Sequence, residues 1–460
     1  MENQNELKIT RPLMLSAFAA ALAGLLFGFD TAVIAGVIPS LEKVYALDEW
    51  GKGFTVSIAL LGTMLGALCA SLPADKLGRR DSLKITGALF FVSAVGCALA
   101  WGWHSMLFFR FVGGVGIGVA SVIAPMYIAE IAPAKYRGVF VATFQGNIVG
   151  GILLAYLSNY IVSLFGFDAN SLDWRVKLGV EALPAALFLT MLFFVPRSAY
   201  WLVKVGRRNE ARAVLEKIAP GAEGETIAEI DASLESARRL GNPPLLCRAF
   251  AFPLFLAFTI SFFNQFSGIN AVLYYINDIF SGTGLDENLS AVIVGAANFS
   301  FTILAMFLID KIGRKTLLLI GACGTSLMLL AAAAILKTGQ MQGAMVYVLS
   351  VYIAFFAMSQ GAVIWVYISE IFPIAARAKG VSFGASAHWI FCFIIALVFP
   401  YMLKLDGADF GFESVKLNGS FPFFLFFFMT IVQLAVVAVF YPETKGVPLE
   451  RLREKMKFFR

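Results

Sequence analysis

Twelve long apolar stretches limit what this chain of 460 residues can fold into. A helix that crosses a bilayer needs about 20 mostly apolar residues, and a helix satisfies its own backbone hydrogen bonds in lipid. The pattern predicts an all-α membrane protein with twelve transmembrane helices. The stretches lie roughly at 13–39, 54–73, 83–103, 106–130, 139–164, 177–195, 250–280, 289–309, 315–336, 344–370, 381–403 and 420–441.

Composition supports lipid as the solvent of much of this surface. Hydrophobic residues make up 59% of the chain and charged residues 14%, against about 25% charged in soluble domains. The net charge of +6 is better explained by basic loops on one membrane face than by a nucleic-acid partner, which we do not expect. The first apolar stretch exceeds the ~7–15 residues of a signal-peptide core, so it is predicted to be retained as a span.

The basic residues also predict the orientation. With twelve spans both termini lie on one side, and most of the 36 Lys and Arg residues fall in the loops of that side. Basic loops stay in the cytoplasm, which predicts cytoplasmic termini in a plasma (inner) membrane. The five cysteines are scattered without a C-x-x-C pair, so the sequence supports neither a disulfide framework nor a metal site.

An internal repeat organises the chain. The stretch ADKLGRR at 74–80 recurs as IDKIGRK at 309–315, an offset of 235 residues, and YIAEIAP at 127–133 recurs as YISEIFP at 367–373, an offset of 240. This predicts two pseudo-symmetric six-helix bundles, at 1–199 and 249–441. A charged cytoplasmic helical linker at 200–248 and a cytoplasmic tail at 442–460 complete the division. Parallel repeats of this kind are typical of alternating-access transporters, with the site near the midplane between the halves.

The repeated loops carry matching charges at the predicted cytoplasmic helix ends. Acidic and basic groups placed there can pair with one another and with helix termini. We interpret them as gates that hold the cytoplasmic side closed; basic loops without a gating role are the simpler alternative. The predicted gate residues are Asp75, Arg79, Arg80, Glu130, Arg137, Glu181, Asp310, Arg314, Glu370 and Arg377.

Ionisable residues inside the spans are costly in lipid and mark functional sites. Asp30 lies in the middle of the first span and Arg110 begins the fourth. An aspartate that faces an arginine is a candidate proton switch, because losing the arginine raises the carboxyl pKa. A static structural ion pair is the alternative. Glu181, in the sixth span, could belong to this pair or to the cytoplasmic network.

Uncharged polar residues inside the spans predict a ligand site. Amides supply both donors and acceptors, which a polyol needs, and an aromatic face packs against its C–H groups. A neutral pocket of this kind favours a sugar over an ion, peptide or lipid, although amides also join helices to one another. The candidate set is Gln145, Asn264, Gln265, Asn270, Asn298, Trp365, His388 and Trp389.

Together these motifs resemble the sugar porter family of the major facilitator superfamily over essentially the whole chain. The matching stretches are D-K-L-G-R-R at 75–80, P-x-Y-I-A-E at 125–130, Q-F-x-G-I-N at 265–270, D-x-x-G-R-K at 310–315, S-E-I-F-P at 369–373 and P-E-T-K-G at 442–446. The resemblance implies two six-helix bundles with short cytoplasmic helices between them. It also implies sugar contacts by Gln145, Gln265, Asn270, Asn298 and Trp365.

The same resemblance bears on coupling. Asp30 matches a position that is aspartate in proton-coupled members and commonly asparagine in facilitators, and Arg110 matches its partner. The implied function is monosaccharide import coupled to proton import, by a protein that works as a monomer. A proton-independent uniporter and a non-transporting sugar sensor are the alternatives. No enzyme motif, catalytic residue or cofactor site is recognised.

Four departures from the family pattern are expected to matter. Asn264 stands where a glutamine is usual, and His388 where an amide is common beside Trp389. The tenth span lacks the proline that usually follows Gly361, which questions its flexibility. The stretch PRSAYWL at 196–202 lacks the Glu and the Arg of P-E-S-P-R-x-L, which predicts a weakened cytoplasmic charge network.

Overall fold

The computed structural model describes residues 10–133, 136–168, 172–218, 220–239, 244–281, 283–411 and 416–445. Helices and turns account for the ordered backbone of these ranges, in which no strand occurs. The first half contains α1 (Arg11–Val33), α2 (Ile38–Tyr45), α3 (Glu49–Cys69), α4 (Ser71–Lys76), α5 (Arg79–Ala98), α6 (Trp103–Ile131), α7 (Arg137–Leu164), α8 (Asp173–Gly179) and α9 (Ala182–Met191).

The predicted linker and the second half are also helical. The linker helices are α10 (Ala199–Lys204), α11 (Arg208–Ile218) and α12 (Glu223–Arg239). The second half contains α13 (Ala251–Phe266), α14 (Ile269–Tyr274), α15 (Ile276–Phe280), α16 (Glu287–Ile312), α17 (Arg314–Thr338), α18 (Met345–Phe356), α19 (Ala362–Ile371), α20 (Ile374–Lys404) and α21 (Phe421–Phe440).

Within the described part of the chain, eleven helical stretches are long and apolar enough to cross a membrane. The sixth of the twelve predicted spans is present as two shorter helices, α8 and α9, with a turn at Val180 and Glu181 between them. A charged side chain therefore sits at the break instead of inside a continuous apolar helix.

Other predicted spans are also interrupted. The seventh breaks between α13 and α14 at Gly268, whose φ of +86° favours glycine, and a Cβ there would lie 2.2 Å from the Phe426 ring. The tenth contains a π-helical turn at Ala357–Gly361 between α18 and α19. Such turns often mark functional sites in helices. The π turn interrupts the regular hydrogen bonding of this span although no proline follows Gly361. What this means for the flexibility of the span stays a prediction.

The described chain divides into two compact units. The first comprises 1–31, 62–152 and 178–241, and the second comprises 32–61, 153–177 and 242–460. In the first unit, glycines bring α1 and α7 into backbone contact: a Cβ on Gly28 would lie 1.9 Å from the Ile148 carbonyl, and one on Gly151 would lie 2.0 Å from the Leu25 carbonyl. Small residues permit this close approach between membrane helices.

In the second unit, the chain around the start of α3 packs against the end of α20. A Cβ on Gly53 would lie 2.0 Å from the Leu397 carbonyl oxygen. Nearby, the Trp50 and Tyr401 rings stack with centroids 5.4 Å apart, and Lys404 forms an ion pair with Glu49.

Candidate functional site

A buried ion pair joins α1 and α6. Arg110 Nη1 donates to Asp30 Oδ1 at 2.9 Å and to the Asp30 carbonyl oxygen at 3.3 Å. Each residue is only 2% exposed. Arg110 Nε has no hydrogen-bond partner among the described residues. The pair is therefore incompletely satisfied, which makes its charges costly to keep in place.

A second carboxyl group adjoins this pair. Glu181, 3% exposed at the turn between α8 and α9, brings its side chain within hydrogen-bonding reach of Asp30. The assignment of Glu181 to the network at the helix ends is therefore corrected. The sequence left this open because a hydropathy pattern does not reveal a break in the sixth span. Two carboxyl groups beside one guanidinium can hold a proton between them.

Glycine gives these helices room to approach. A Cβ on Gly113 of α6 would lie 2.4 Å from Ser93 Oγ of α5 and 3.7 Å from Asp30 Oδ1. The glycine run that follows Arg110 therefore lets α1, α5 and α6 close around the pair.

Four of the predicted ligand residues form one hydrogen-bonded cluster in the second unit. Gln265 Nε2 donates to Asn264 Oδ1 at 3.0 Å and lies 3.2 Å from His388 Nε2. Asn270 Nδ2 donates to Gln265 Oε1 at 2.9 Å and to Cys392 Sγ at 3.2 Å. Because Gln265 and Asn270 sit on either side of the α13–α14 break, the break sets their separation.

Two indoles flank the same cluster. The Trp365 and His388 rings lie 5.1 Å apart, and the His388 and Trp389 rings lie 5.2 Å apart. Trp389 is buried, whereas Trp365 remains 36% exposed. The cluster thus combines amide donors and acceptors with an accessible aromatic face, which is the chemistry that a sugar hydroxyl and C–H surface requires.

Two predicted ligand residues do not join this cluster. Asn298 is buried on α16, where its Oδ1 receives the Thr302 hydroxyl at 3.5 Å. Gln145 is half-buried on α7 and belongs to the first unit. Their part in binding stays a prediction.

Sequence reasoning missed other buried polar groups. The thiol of Cys392 contacts Asn270, and the Tyr274 hydroxyl lies 3.7 Å from the same sulfur. In the π turn, Gln360 Nε2 donates to Gln433 Oε1 of α21 at 2.8 Å. A glutamine next to Gly361 in an apolar span was the available signal for the last pair.

The repeated loop of the first half forms the first charge cluster, which we define as Arg79, Glu130 and Ser198. Arg79 binds Glu130 Oε1 through Nε at 2.9 Å and Nη2 at 2.8 Å, and its Nη1 donates to the Ala74 carbonyl at 3.0 Å. The Ser198 hydroxyl donates to Glu130 Oε2. The arginine therefore ties the start of α5 to the end of α6.

The second half repeats this arrangement in the second charge cluster, defined as Arg314, Glu370 and Thr444. Arg314 Nη2 binds Glu370 Oε1 at 2.9 Å, and its Nη1 donates to the Ile309 carbonyl at 3.2 Å. The Thr444 hydroxyl donates to Glu370 Oε2 at 2.5 Å. The hydroxyl partners in both clusters were not among the predicted residues.

The remaining predicted gate residues differ in what they contact. Asp75 Oδ1 forms an ion pair with Lys204 Nζ at 2.9 Å and lies 3.6 Å from Arg79 Nη1. Arg80 Nε donates to Asp81 Oδ1 at 2.8 Å. Arg377 is half-buried, and its Nε has no hydrogen-bond partner among the described residues. The side chains of Arg137 and Asp310 lie outside the described residues.

A family model described as Sugar (and other) transporter matches residues 16–456. The chain belongs to this family. The D-xylose-proton symporter of Escherichia coli strain K12 is 38% identical over 94% of this chain and 93% of its own. The glucose transport protein of a Synechocystis strain is 34% identical over 96% of this chain and 97% of its own.

Solved structures agree with these relatives. An inward-open structure of the xylose transporter XylE from E. coli superposes with a TM-score of 0.85 at 34% identity, covering 96% of this chain and 99% of that one. The predicted sugar porter membership and the helical major facilitator fold are confirmed. The relatives are transporters, and the chain is a multi-pass membrane protein.

Proposed function

We propose that this protein imports a monosaccharide together with a proton by alternating access. The observation that carries the proposal is the buried Asp30–Arg110 pair with Glu181 beside it. A carboxylate held in an apolar interior by one guanidinium can release that partner only when it gains a proton. The proton thus decides whether the pair is closed or open.

Glu181 gives Arg110 a second partner. When Asp30 gains a proton from outside, it becomes neutral and its attraction for Arg110 falls. Arg110 then turns to the Glu181 carboxylate, so that the positive charge is never left unpaired. Returning the proton to the cytoplasm restores the Asp30–Arg110 pair.

The amide cluster around Gln265 is the proposed sugar site. The amides of this cluster donate to one another, which supplies hydrogen-bond partners for buried polar groups. A sugar hydroxyl that enters exchanges these bonds for its own, while Trp365 stacks on the ring of the sugar. D-xylose is the first substrate to test, because a relative at 38% identity is a D-xylose-proton symporter.

The two charge clusters are the proposed cytoplasmic gates, with both termini in the cytoplasm and the protein working as a monomer. We propose no catalytic step and no cofactor. A uniporter would leave Asp30 with a structural role only, and a sensor would bind sugar without moving it. Neither alternative accounts for a second carboxyl group, that of Glu181, beside the buried Asp30–Arg110 pair.

The test uses purified protein in liposomes. Uptake of radiolabelled D-xylose and D-glucose is measured with and without an inward proton gradient, for the wild type, for Asp30→Asn and for Asp48→Asn. Asp48 is an exposed aspartate and serves as the matched control. We expect gradient-driven accumulation in the wild type and in Asp48→Asn, whereas Asp30→Asn exchanges sugar without accumulating it.

Two outcomes contradict the proposal. Uptake that ignores the gradient in every variant identifies a uniporter. Sugar binding without uptake in the wild type identifies a sensor.

A further inference from the structure

The internal repeat extends beyond the motifs that the sequence reveals. The Tyr127 hydroxyl donates to the Pro196 carbonyl at 2.7 Å, and the Tyr367 hydroxyl donates to the Pro442 carbonyl at 3.3 Å. These tyrosines occupy equivalent positions in the repeated segments. The stretch Pro-Arg-Ser at 196–198 is therefore the counterpart of Pro-Glu-Thr at 442–444.

The last residue of each triplet performs the same contact. Ser198 donates to Glu130 in the first charge cluster, and Thr444 donates to Glu370 in the second. In both clusters the arginine takes the other carboxylate oxygen and also the carbonyl five residues before it. The two clusters thus match group by group.

The middle residues of the triplets carry opposite charges. Glu443 accepts the backbone N–H of Arg314 at 2.9 Å and that of Lys315 at 3.1 Å, at the start of α17. A carboxylate there binds the free N–H groups of the helix. Arg197 stands in the corresponding place of the first half and cannot do this.

The first half supplies the missing negative charge from the helix itself. Asp81 lies in the first turn of α5, and its Oδ2 binds Arg197 Nη2 at 2.7 Å. The residue that corresponds to Asp81 in the second half, at the offset of 235, is the neutral Thr316. The first half thus has its carboxylate on the helix and a basic residue in the connecting segment, whereas the second half has its carboxylate in the connecting segment.

The side chains around Asp81 are consistent with this difference in charge between the two halves. Arg80 Nε donates to Asp81 Oδ1 at 2.8 Å, and Lys84 Nζ lies 3.5 Å from the same oxygen. The Arg197 guanidinium lies 5.6 Å from the Trp201 ring. The Asp81 carboxylate thus lies beside three cationic side chains, those of Arg80, Lys84 and Arg197. A carboxylate at position 197 would repel Asp81.

We propose that Arg197 is a positioning residue: with Asp81 it forms a charge-inverted counterpart of the Glu443 contact, and so holds Ser198 on Glu130. On this proposal the first charge cluster is not weakened by the loss of the glutamate, whereas the stretch PRSAYWL alone predicts that it is. The inversion also predicts which substitutions are compatible. Arg197 tolerates lysine, and glutamate is tolerated only when Asp81 becomes threonine.

Hydrogen–deuterium exchange of the full-length protein tests this without any sugar. We compare the wild type with Arg197→Lys, Arg197→Glu and the double variant Arg197→Glu, Asp81→Thr. We expect Arg197→Glu to speed exchange of the backbone amides at 198–204 and in the first turn of α5 by about threefold to tenfold. This is the size of effect that loss of a partly exposed Arg–carboxylate pair would produce. The lysine and double variants should return to near the wild-type rate.

The first turn of α17 serves as the reference within each sample, because its Glu443 contact is untouched by these substitutions. Sugar uptake supplies a second measurement. With the amount of folded protein equalised, Arg197→Glu should lower kcat and leave KM unchanged, and the double variant should recover kcat. A residue that only stabilised the fold would lower the folded yield and leave kcat per folded molecule unchanged.

Exchange in Arg197→Glu equal to that of the wild type would overturn the proposal. A double variant whose amides exchange as fast as those of Arg197→Glu would also overturn it, because replacing Asp81 with threonine would then not have restored protection. Should Arg197→Glu fail to fold, recovery of folded yield by the double variant supports the proposal, and failure of both variants overturns it.

Discussion

At the scale of single residues, burial of charge dominates. Removing one partner of a buried ion pair leaves an uncompensated charge, and this costs about 3–5 kcal/mol. Arg110 has two carboxyl groups within reach, so the arrangement avoids that cost whichever of them is ionised. Proton exchange is therefore possible here without exposing the guanidinium to lipid.

The amides of the proposed sugar site lead to the first prediction. Gln265 contacts Asn264, Asn270 and His388, so Gln265→Ala should leave these partners unsatisfied and raise the sugar Kd at least about tenfold. Binding is measured by calorimetry on the purified protein. The matched control is Asn288→Ala, which removes an amide bonded to Asn277 outside the cluster, and its Kd should stay unchanged. Equal losses in both variants would contradict the assignment of the site.

How much of the site could be predicted depends on how rare each residue type is in a span. Asp30 and Arg110 could be recognised because charges are scarce in lipid, and the amides because several occur close together. Ser198 and Thr444 could not, since hydroxyl residues are common and only the fold shows which of them reaches a carboxylate. The sequence left Glu181 between two networks, because a hydropathy pattern does not show that its helix breaks beside it.

At the scale of helices, breaks place the functional groups. The α13–α14 break separates Gln265 from Asn270, and the turn before α9 brings Glu181 to Asp30. Hydropathy predicted the existence of these spans but not their interruptions, because a break of one or two residues hardly alters the mean hydropathy of a span. Gly268 was a visible sign of the first break, and Gly179 stands directly before the second.

The N-terminus of α17 gives the second prediction. Burial raises the pKa of Glu443, but the backbone N–H groups of Lys445, Arg314, Lys315 and Thr444 lower it more, so the pKa lies below the ordinary 4.5. A lowered carboxyl pKa adds stability above the pKa of the unfolded chain, and this is lost as pH falls through the folded value. Because solvent screens this partly exposed carboxylate, Glu443→Gln should cost about 0.3–1 kcal/mol at pH 7.

Thermal unfolding in detergent checks this at neutral and acid pH. The Tm of Glu443→Gln should fall below that of the wild type at pH 7, and the two should converge as the pH falls below the ordinary carboxyl pKa and through the lowered pKa of Glu443. Glu210→Gln, which breaks an exposed pair with Arg207, serves as the control and should shift Tm little. A Tm difference that is constant with pH would show that the charge of Glu443 is not involved.

At the scale of the whole molecule, close packing at Gly53 gives the third prediction. The proposed alternating access predicts that the contact between α3 and α20 at Gly53 forms and separates in each cycle. In Gly53→Ala the new Cβ would meet a backbone oxygen at 2.0 Å, so the state in which these helices touch should be disfavoured by at least about tenfold. Sugar uptake should fall while sugar binding persists.

Gly102→Ala is the control, because a Cβ there meets nothing within 4 Å. Uptake by both variants is measured in the same liposome assay, with equal amounts of folded protein. Unchanged uptake in Gly53→Ala would mean that this contact does not form during transport.

The two charge clusters also bear on how such a chain could arise. Each cluster draws its arginine, carboxylate and hydroxyl from one half and the few residues that follow its last span. An ancestral gene of half this length would already have encoded a closed set of partners, and two copies of its product could have assembled as a symmetric pair. Fusion of duplicated genes lets each copy diverge by compensated steps, and Arg197, which stands where the family pattern has a glutamate, has Asp81 as its compensating partner in this chain.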